Sequence, residues 1–301
     1  MNASEIKSEL TQSKLPESKR SRLFTRRRMM ACMAATAAAV YTDMRFIEPN
    51  WIGIGLHRVP ILPQGSVPIR IVQLSDLHAS TDVPLDFIDY AIDLGLKQKP
   101  DIFCLTGDFI TDHWEEWTAY SKILERLSQA VPTFASTGNH DGCEWVARFG
   151  GYAKPTKVIE MLEKANIRVL MNESEEVSLP NKSRFELIGL GDIWARDFNP
   201  MLLNNPKQAG LPRVLLSHNP DTKDQIEHVD WDLMLSGHTH GGQLTLPWGS
   251  TPFAPVRDKR FVRGLHPWKN HWLHITKGVG SLRKMRLNCF PEISVVELVS
   301  V

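Results

Sequence analysis

From Ile69 onward, short apolar runs alternate with stretches whose apolar residues recur three and four positions apart, and several runs end on an aspartate or a histidine. The runs are IRIVQL from Ile69, DIFCLT from Asp101, VPTFAST from Val131, RVLLS from Arg213 and WDLMLS from Trp231. After the first of them, Pro84 opens a stretch in which Leu85, Ile88, Ile92 and Leu96 share one helical face, stopped before Pro100. Trp117 to Leu127 and Pro155 to Ala165 read as further helices, and IRVLMN as another strand. Such alternation predicts parallel βαβ units with strands buried on both faces. The second half is richer in strands. EEVSLPNKSRFELIGL reads as a hairpin turning at Pro180 to Ser183, and GQLTL, HWLHIT and EISVVEL read as strands. With no internal repeat and no break in composition after residue 69, one α/β domain over residues 69–301 is the economical reading.

The polar residues that close the runs form a chemical set. Asp76 and His78 follow the first run, Asp108 the second, and Asn139 with His140 the third; His218 follows RVLLS, and His238 and His240 follow WDLMLS. In open α/β sheets the carboxyl ends of the strands are where loops converge on ligands. Five strand ends can therefore deliver carboxylate, imidazole and amide donors to one place. These donors suit divalent first-row cations, and no thiolate is among them. Gly107, Gly138 and Gly237 each precede one of these groups, as expected where backbone must approach a crowded centre. A carboxylate such as Asp108 can bridge two ions. Taken singly, an Asp-x-His pair or a lone histidine is more often a loop cap or a structural residue. The ordered set is what carries the metal reading. His57, His113, His228, His266, His271 and His274 lack that context and read as surface or rim residues.

Thirty-five Lys and Arg against 34 Asp and Glu give no basic excess, so no nucleic-acid partner is expected and a monomer suffices. Cys32, Cys104, Cys143 and Cys289 show no zinc or disulfide spacing. Basic charge gathers instead at Lys19 to Arg28, followed by the short apolar stretch MMACMAATAAAVY. Thr25-Arg26-Arg27-Arg28-Met29-Met30 resembles a twin-arginine export signal. Residues 1–45 are therefore expected to be a disordered N-terminus plus a signal or membrane anchor, and 46–68 a linker. The protein would be exported to the periplasmic or cell-envelope side, or be held on the cytoplasmic face of the inner membrane.

SDLH, GD, GNHD, SHNPD and GHTHGGQ, in this order, resemble the calcineurin-like metallophosphoesterases. The match runs from about Ile69 to the C-terminus. HTHGGQ, TKGVGSL, RLNCFPEISVVEL, GDIWA and the Glu48-Pro49-Asn50-Trp51 segment are similar to a bacterial phosphodiesterase group within that family. The resemblance implies a four-layer αββα sandwich with metals at one sheet edge. It implies a first ion on Asp76, His78, Asp108 and His240, and a second on Asp108, Asn139, His218 and His238. His140 would face the phosphate as the catalytic residue. One departure stands out. Phosphoprotein phosphatases of the superfamily carry an Asp where this chain has Thr111, which leaves Asp112 and Asp141 as candidate partners of His140.

The function so implied is phosphodiester hydrolysis by a water activated between two divalent ions, Mn first, with Fe, Zn, Ni or Co as alternatives. Hydrolysis of a lipid-linked pyrophosphate such as UDP-2,3-diacylglucosamine, in lipid A synthesis, is the second reading. A non-catalytic scaffold is the third, and the completeness of the motifs argues against it. The stretch Leu246 to Trp268 mixes prolines, aromatics and basic residues beside the last motif. It reads as a loop choosing a lipid-linked substrate at a membrane surface, or as aromatics packed onto the domain with solvated Arg260 and Arg263.

Overall fold

The structure is a computed structural model that describes residues 25–301. The polar segment 1–16 and the start of the basic run lie outside the described residues. Two compact units are present, Met1–Tyr41 and Thr42–Val301. α1 (Arg26–Thr42), whose residues up to Tyr41 fall in the first, is an Ala-rich helix that opens on three arginines and has no buried residue. No described helix is long and apolar enough to cross a membrane.

The second unit is built on two six-stranded sheets. The first is ordered β1 (Gly53–Leu62), β12 (Glu292–Ser300), β2 (Ile69–Leu74), β3 (Ile102–Thr106), β4 (Thr133–Ser136) and β5 (Arg168–Val169). The second is ordered β10 (Gly264–Trp268), β11 (His271–Ile275), β9 (Leu233–Ser236), β8 (Arg213–Leu216), β7 (Arg184–Gly189) and β6 (Glu173–Ser178). β2 to β5 run parallel, as do β7, β8, β9 and β11. The expected hairpin is β6–β7, antiparallel from Glu173↔Gly189 to Ser178↔Arg184.

Period-two side-chain alternation sorts each strand between two cores. Ile69, Ile71, Ile102, Cys104, Val296 and Leu298 of the first sheet pack on Leu187, Val214, Leu216, Leu233 and Leu235 of the second. The outward residues Val72, Leu74, Phe103, Leu105 and Val295 receive α2 (Leu85–Leu96), α3 (Trp117–Ala130) and α4 (Thr156–Lys164). α2 forms as its spacing predicts. Pro84 caps it and Ile88 and Ile92 are fully buried, each stabilising by roughly 1.5–3 kcal/mol. The far face of the second sheet is covered by short 3-10 turns, Pro200–Asn204 and Pro220–Gln225, and by Phe261 and Trp231. Its fourth layer is thus made of turns where the first sheet has full helices.

Two local expectations change. Residues 46–68 are not only a linker, because β1 lies there and pairs in parallel with β12 from Gly53↔Glu292 onward. Its edge position leaves every second residue exposed, and its partner is the last strand, so neither composition nor local periodicity reveals it. GQLTL forms only an isolated bridge, Leu244↔Leu287, since Gly242 and Gln243 both take positive φ just before it.

Candidate metal centre

The loops after β2 and β3 are zipped together by main-chain bonds. Asp76 N–H donates to Gly107 O and His78 N–H to Asp108 O, both at 2.9 Å. The backbone then turns hard at the polar residues. Asp76, His78, Asp108, His238 and His240 all have φ between 50° and 69°. Left-handed conformations cost non-glycine residues of order 1–3 kcal/mol each and persist where the surroundings impose them, often at functional sites. Gly138 and Gly237 permit the crowding. A Cβ on Gly138 would collide with Asp108 and His218, and one on Gly237 with Ser75 and Asp76.

The expected ligands come together in two adjoining clusters. Asp76, His78 and His240 form one; Asp108, His218 and His238 form the other, with the donor atoms of each cluster within 4.8 Å of one another. All six are buried. Asp108 joins the clusters: its Oδ2 lies 3.5 Å from His78 Nε2 and 3.1 Å from His218 Nε2. Its Oδ1 accepts from His140 N–H at 2.8 Å, which fixes the carboxylate plane. Asn139 lines the same cavity as Asp108 and His238.

Whether these residues fit cations can be judged from the atoms left over. His78 Nε2 and His240 Nε2 are 3.1 Å apart. Burial, above all, pulls both imidazoles below their usual range, which favours the neutral rings that ligate metal. Asn139 Oδ1 and His238 Nε2 are buried without a hydrogen-bond partner among the described residues, and His218 Nε2 has only the Asp108 carboxylate, 3.1 Å away, in front of it. His218 Nδ1 donates to Thr106 O at 2.7 Å, which turns its Nε2 toward Asp108. Burial opposes charge on His218, but Asp108, Asp76 and Asp192 outweigh it and raise the imidazole well above its usual range. Burial likewise works against ionised Asp108, yet His218, His140 and His78 hold it well below the carboxylate range. The site thus holds positive charge where a cation would sit, and the donor set fits divalent metals.

His140 stands beside the clusters and belongs to neither. Its ring meets that of His78 edge-on at 4.9 Å. Its Nδ1 donates to Thr111 O at 2.6 Å. Neither of the acidic partners expected from sequence is used: where a phosphatase would place a carboxylate, the main-chain carbonyl of Thr111 orients the imidazole. Asp141 has another task. It accepts from the N–H groups of Asp108, Phe109 and Gly138 at 2.7–3.0 Å and so ties two ligand loops together. Burial first, and then Asp108, push its carboxyl up to about 7.

Around the mouth runs an aromatic rim, of which the sequence reading singled out the loop carrying Phe253 but missed Trp145 and Trp194. Trp145 meets His140 edge-on at 5.5 Å, and Trp194 meets His238 at 4.4 Å. With Phe253 and Leu282 they line a cavity of about 290 Å³ over Asp108, Asn139 and His238. A larger one, about 750 Å³, shares His140, Trp145 and Leu282 and runs past Trp114 and Phe149. Trp194 is placed by Asp192, whose Oδ1 accepts from the N–H groups of Trp194 and Ala195. The signal was present in sequence as Asp192-Ile193-Trp194, an Asx turn just after β7.

The loop from Leu246 to Trp268 divides between its two readings. Phe261 and Val262 are buried, whereas Trp248 and Phe253 are 77% and 73% exposed. Arg263 donates to Gly241 O and Thr245 Oγ1, which tie the loop back to the stretch just after His240. Arg260 is exposed and pairs with Asp258.

The sequence profile of the calcineurin-like phosphoesterase family matches residues 69–242. Phosphodiesterase YaeI of Escherichia coli K12 is 42% identical over 280 residues, which span 92% of this chain and 100% of that protein. YkuE, an uncharacterized metallophosphoesterase of Bacillus subtilis, is 30% identical over 90% of this chain and 94% of its own. The UDP-2,3-diacylglucosamine pyrophosphatase LpxG of Chlamydia trachomatis is 26% identical over 76% of this chain and 83% of its own.

Proposed function

This chain belongs to the calcineurin-like phosphoesterases and is a phosphoric ester hydrolase, and on that premise we propose that it hydrolyses phosphodiesters at a pair of divalent cations. Asp76, His78, Asp108 and His240 would hold one ion; Asp108, Asn139, His218 and His238 would hold the other. The observation that carries this reading is Asp108 Oδ2, set within 3.5 Å of one imidazole from each cluster. Two such ions supply an acidified water and neutralise charge on the phosphoryl group. Carboxylate, imidazole and amide donors with no thiolate suit divalent first-row ions as a class; manganese is our first choice, with Fe, Zn, Ni or Co as alternatives.

The chain's own part in the chemistry centres on His140. Because its Nδ1–H is committed to Thr111 O, Nε2 is the atom that can carry a proton. Protonated, it would hydrogen-bond the phosphoryl group and pass its one Nε2 proton to the leaving oxygen, a role worth about 10²–10⁴-fold. His140 N–H holds Asp108 in the same stroke, which couples the acid to the ligand it serves.

A lipid-linked diester or pyrophosphate is the second reading, and the exposed aromatic rim favours it. Trp145, Trp194 and Phe253 offer apolar contact to a substrate larger than the phosphate itself. We also place the protein at the cell envelope, on the strength of Arg26, Arg27 and Arg28 opening α1 in a twin-arginine-like context. Replacing Arg26 and Arg27 by Lys is expected to leave the protein in the cytoplasm; unchanged fractionation would remove the export reading. The function itself is tested by loading purified protein with Mn and screening phosphomonoesters, diesters and nucleotide-lipid pyrophosphates. Diester turnover is expected to exceed monoester turnover. Turnover of monoesters alone would contradict the proposal.

A further inference from the structure

Away from the dinuclear centre, another set of metal-binding side chains meets between the two sheets. His57 of β1, Glu292 of β12 and His274 of β11 bring their donor atoms within 4.8 Å of one another. All three point inward, on the strand parity that carries Val59, Val296 and Leu235 into the inter-sheet core. They share no residue with the catalytic clusters. Sequence reading assigned His57 and His274 to the surface or rim. That is wrong for His274, which is fully buried because β11 pairs with β9 inside the sandwich.

The protonation of His274 follows from its neighbours. Gln73 Nε2 donates to Ser236 O at 3.0 Å, and a carbonyl can only accept, so the amide orientation is fixed. Gln73 Oε1 is then the acceptor for His274 Nδ1, at 2.8 Å. Burial, followed by His57 and His266, holds the imidazole down to about 3, so it stays neutral with its lone pair on Nε2. That nitrogen, and His57 Nε2, are buried atoms with no hydrogen-bond partner among the described residues. The two rings lie 4.5 Å apart. His57 Nε2 is 3.9 Å from Glu292 Oε1, too far for a hydrogen bond. Two unpartnered imidazole nitrogens therefore face one carboxylate oxygen.

The surroundings keep that gap open and charge-matched. Lys277 Nζ takes the other carboxylate oxygen, Oε2, at 2.6 Å, and Ser294 donates to Oε1 at 2.8 Å, which leaves Oε1 a free lone pair. Despite burial, His57, Lys277 and Ser294 hold the Glu292 carboxyl down at about 2, so it is ionised. Gly55 clears the space. A Cβ there would stand 2.9 Å from Glu292 Oε1 and 3.2 Å from His57 Nε2. The His57 side chain is 21% exposed, so an ion can reach the gap from solvent and a small ring rotation can close it.

We propose that His57, His274 and Glu292 form a further divalent-cation site, separate from the catalytic pair, for an ion of the zinc type. Two imidazoles and a carboxylate match zinc, at about 2.0–2.2 Å per bond, with a fourth position left for water. The ion clasps β1 and β12 of one sheet to β11 of the other. Its hydrogen-bond neighbour Gln73 also donates to Thr106 Oγ1, and Thr106 O receives His218 Nδ1. The clasp therefore sits two residues away from a catalytic ligand.

The test equilibrates the full chain with zinc chloride, removes free ion by gel filtration and counts zinc by mass spectrometry. The wild type is expected to hold one more ion per chain than either His57→Gln or Gly55→Val, the second of which fills the gap without removing a ligand. Asp108→Asn is expected to lose catalytic ions while His57→Gln in that background still lowers the count by one. Zinc should also raise the unfolding temperature of wild type more than that of His57→Gln. Equal counts in wild type and in both folded variants overturn the site, whatever the count at the catalytic pair. A failure of the dinuclear reading would instead lower the count in wild type and variants alike, leaving their difference intact.

Discussion

The floor of the active site and its rim are built on opposite terms. On the floor, Asp76, His78, Asp108, His218, His238 and His240 are buried and locked by main-chain bonds, left-handed turns and glycines that leave no slack. On the rim, Trp145, Trp194 and Phe253 are 52%, 51% and 73% exposed; the two tryptophans lean edge-on against His140 and His238. On the function proposed here the floor fixes the reaction, and its parts are expected to fail together. The rim shapes what is presented to it, and its parts can be exchanged one at a time.

The largest effect expected on the floor comes from Asp108→Asn. Loss of the shared carboxylate is expected to lower both metal content and turnover by orders of magnitude; normal occupancy with normal turnover would show that no oxygen is shared. His140→Ala separates chemistry from metal retention. Turnover is expected to fall about 100-fold or more while metal content stays near that of wild type, and loss of metal would place His140 among the ligands. On the rim, Trp194→Ala is expected to raise KM for a large amphipathic diester up to about tenfold, the scale of one aromatic contact, and to leave a small chromogenic diester unaffected. Equal losses on both substrates would merge rim and floor into one unit. The smallest effects belong to the loop beyond. Arg263→Ala loses two hydrogen bonds and about 1 kcal/mol of stability, read as a lower unfolding temperature, whereas Arg260→Ala is expected to alter neither stability nor turnover.

The same contrast explains what could be read from the chain alone. The floor was legible because each donor follows a buried apolar run, and a parallel sheet carries all such ends to one edge. The rim was legible only in part: the loop that carries Phe253 stands out by its prolines and aromatics, and Asp192-Ile193-Trp194 marks a turn, but no local pattern announces that these two loops converge with the one carrying Trp145. β1 escaped for a related reason. Its pairing with β12 joins residues some 239 apart, as in Arg58 with Glu297, and its apolar Ile54 and Leu56 fall on the exposed parity, so the sequence marks no inward apolar face. The partner of His140 was sought among acidic residues because a side chain leaves a mark in sequence; the carbonyl of Thr111 leaves none. Asp141, one of the residues proposed for that role, turned out to hold the loops together.

The shared oxygen of Asp108 is the centre of this account, and electron paramagnetic resonance of the manganese-loaded protein tests it most directly. Two ions joined through Asp108 are expected to give the exchange-coupled spectrum of a spin pair in wild type, collapsing to that of an isolated ion, or vanishing, in Asp108→Asn. An isolated-ion spectrum in fully active wild type, unchanged by Asp108→Asn, would contradict the dinuclear centre.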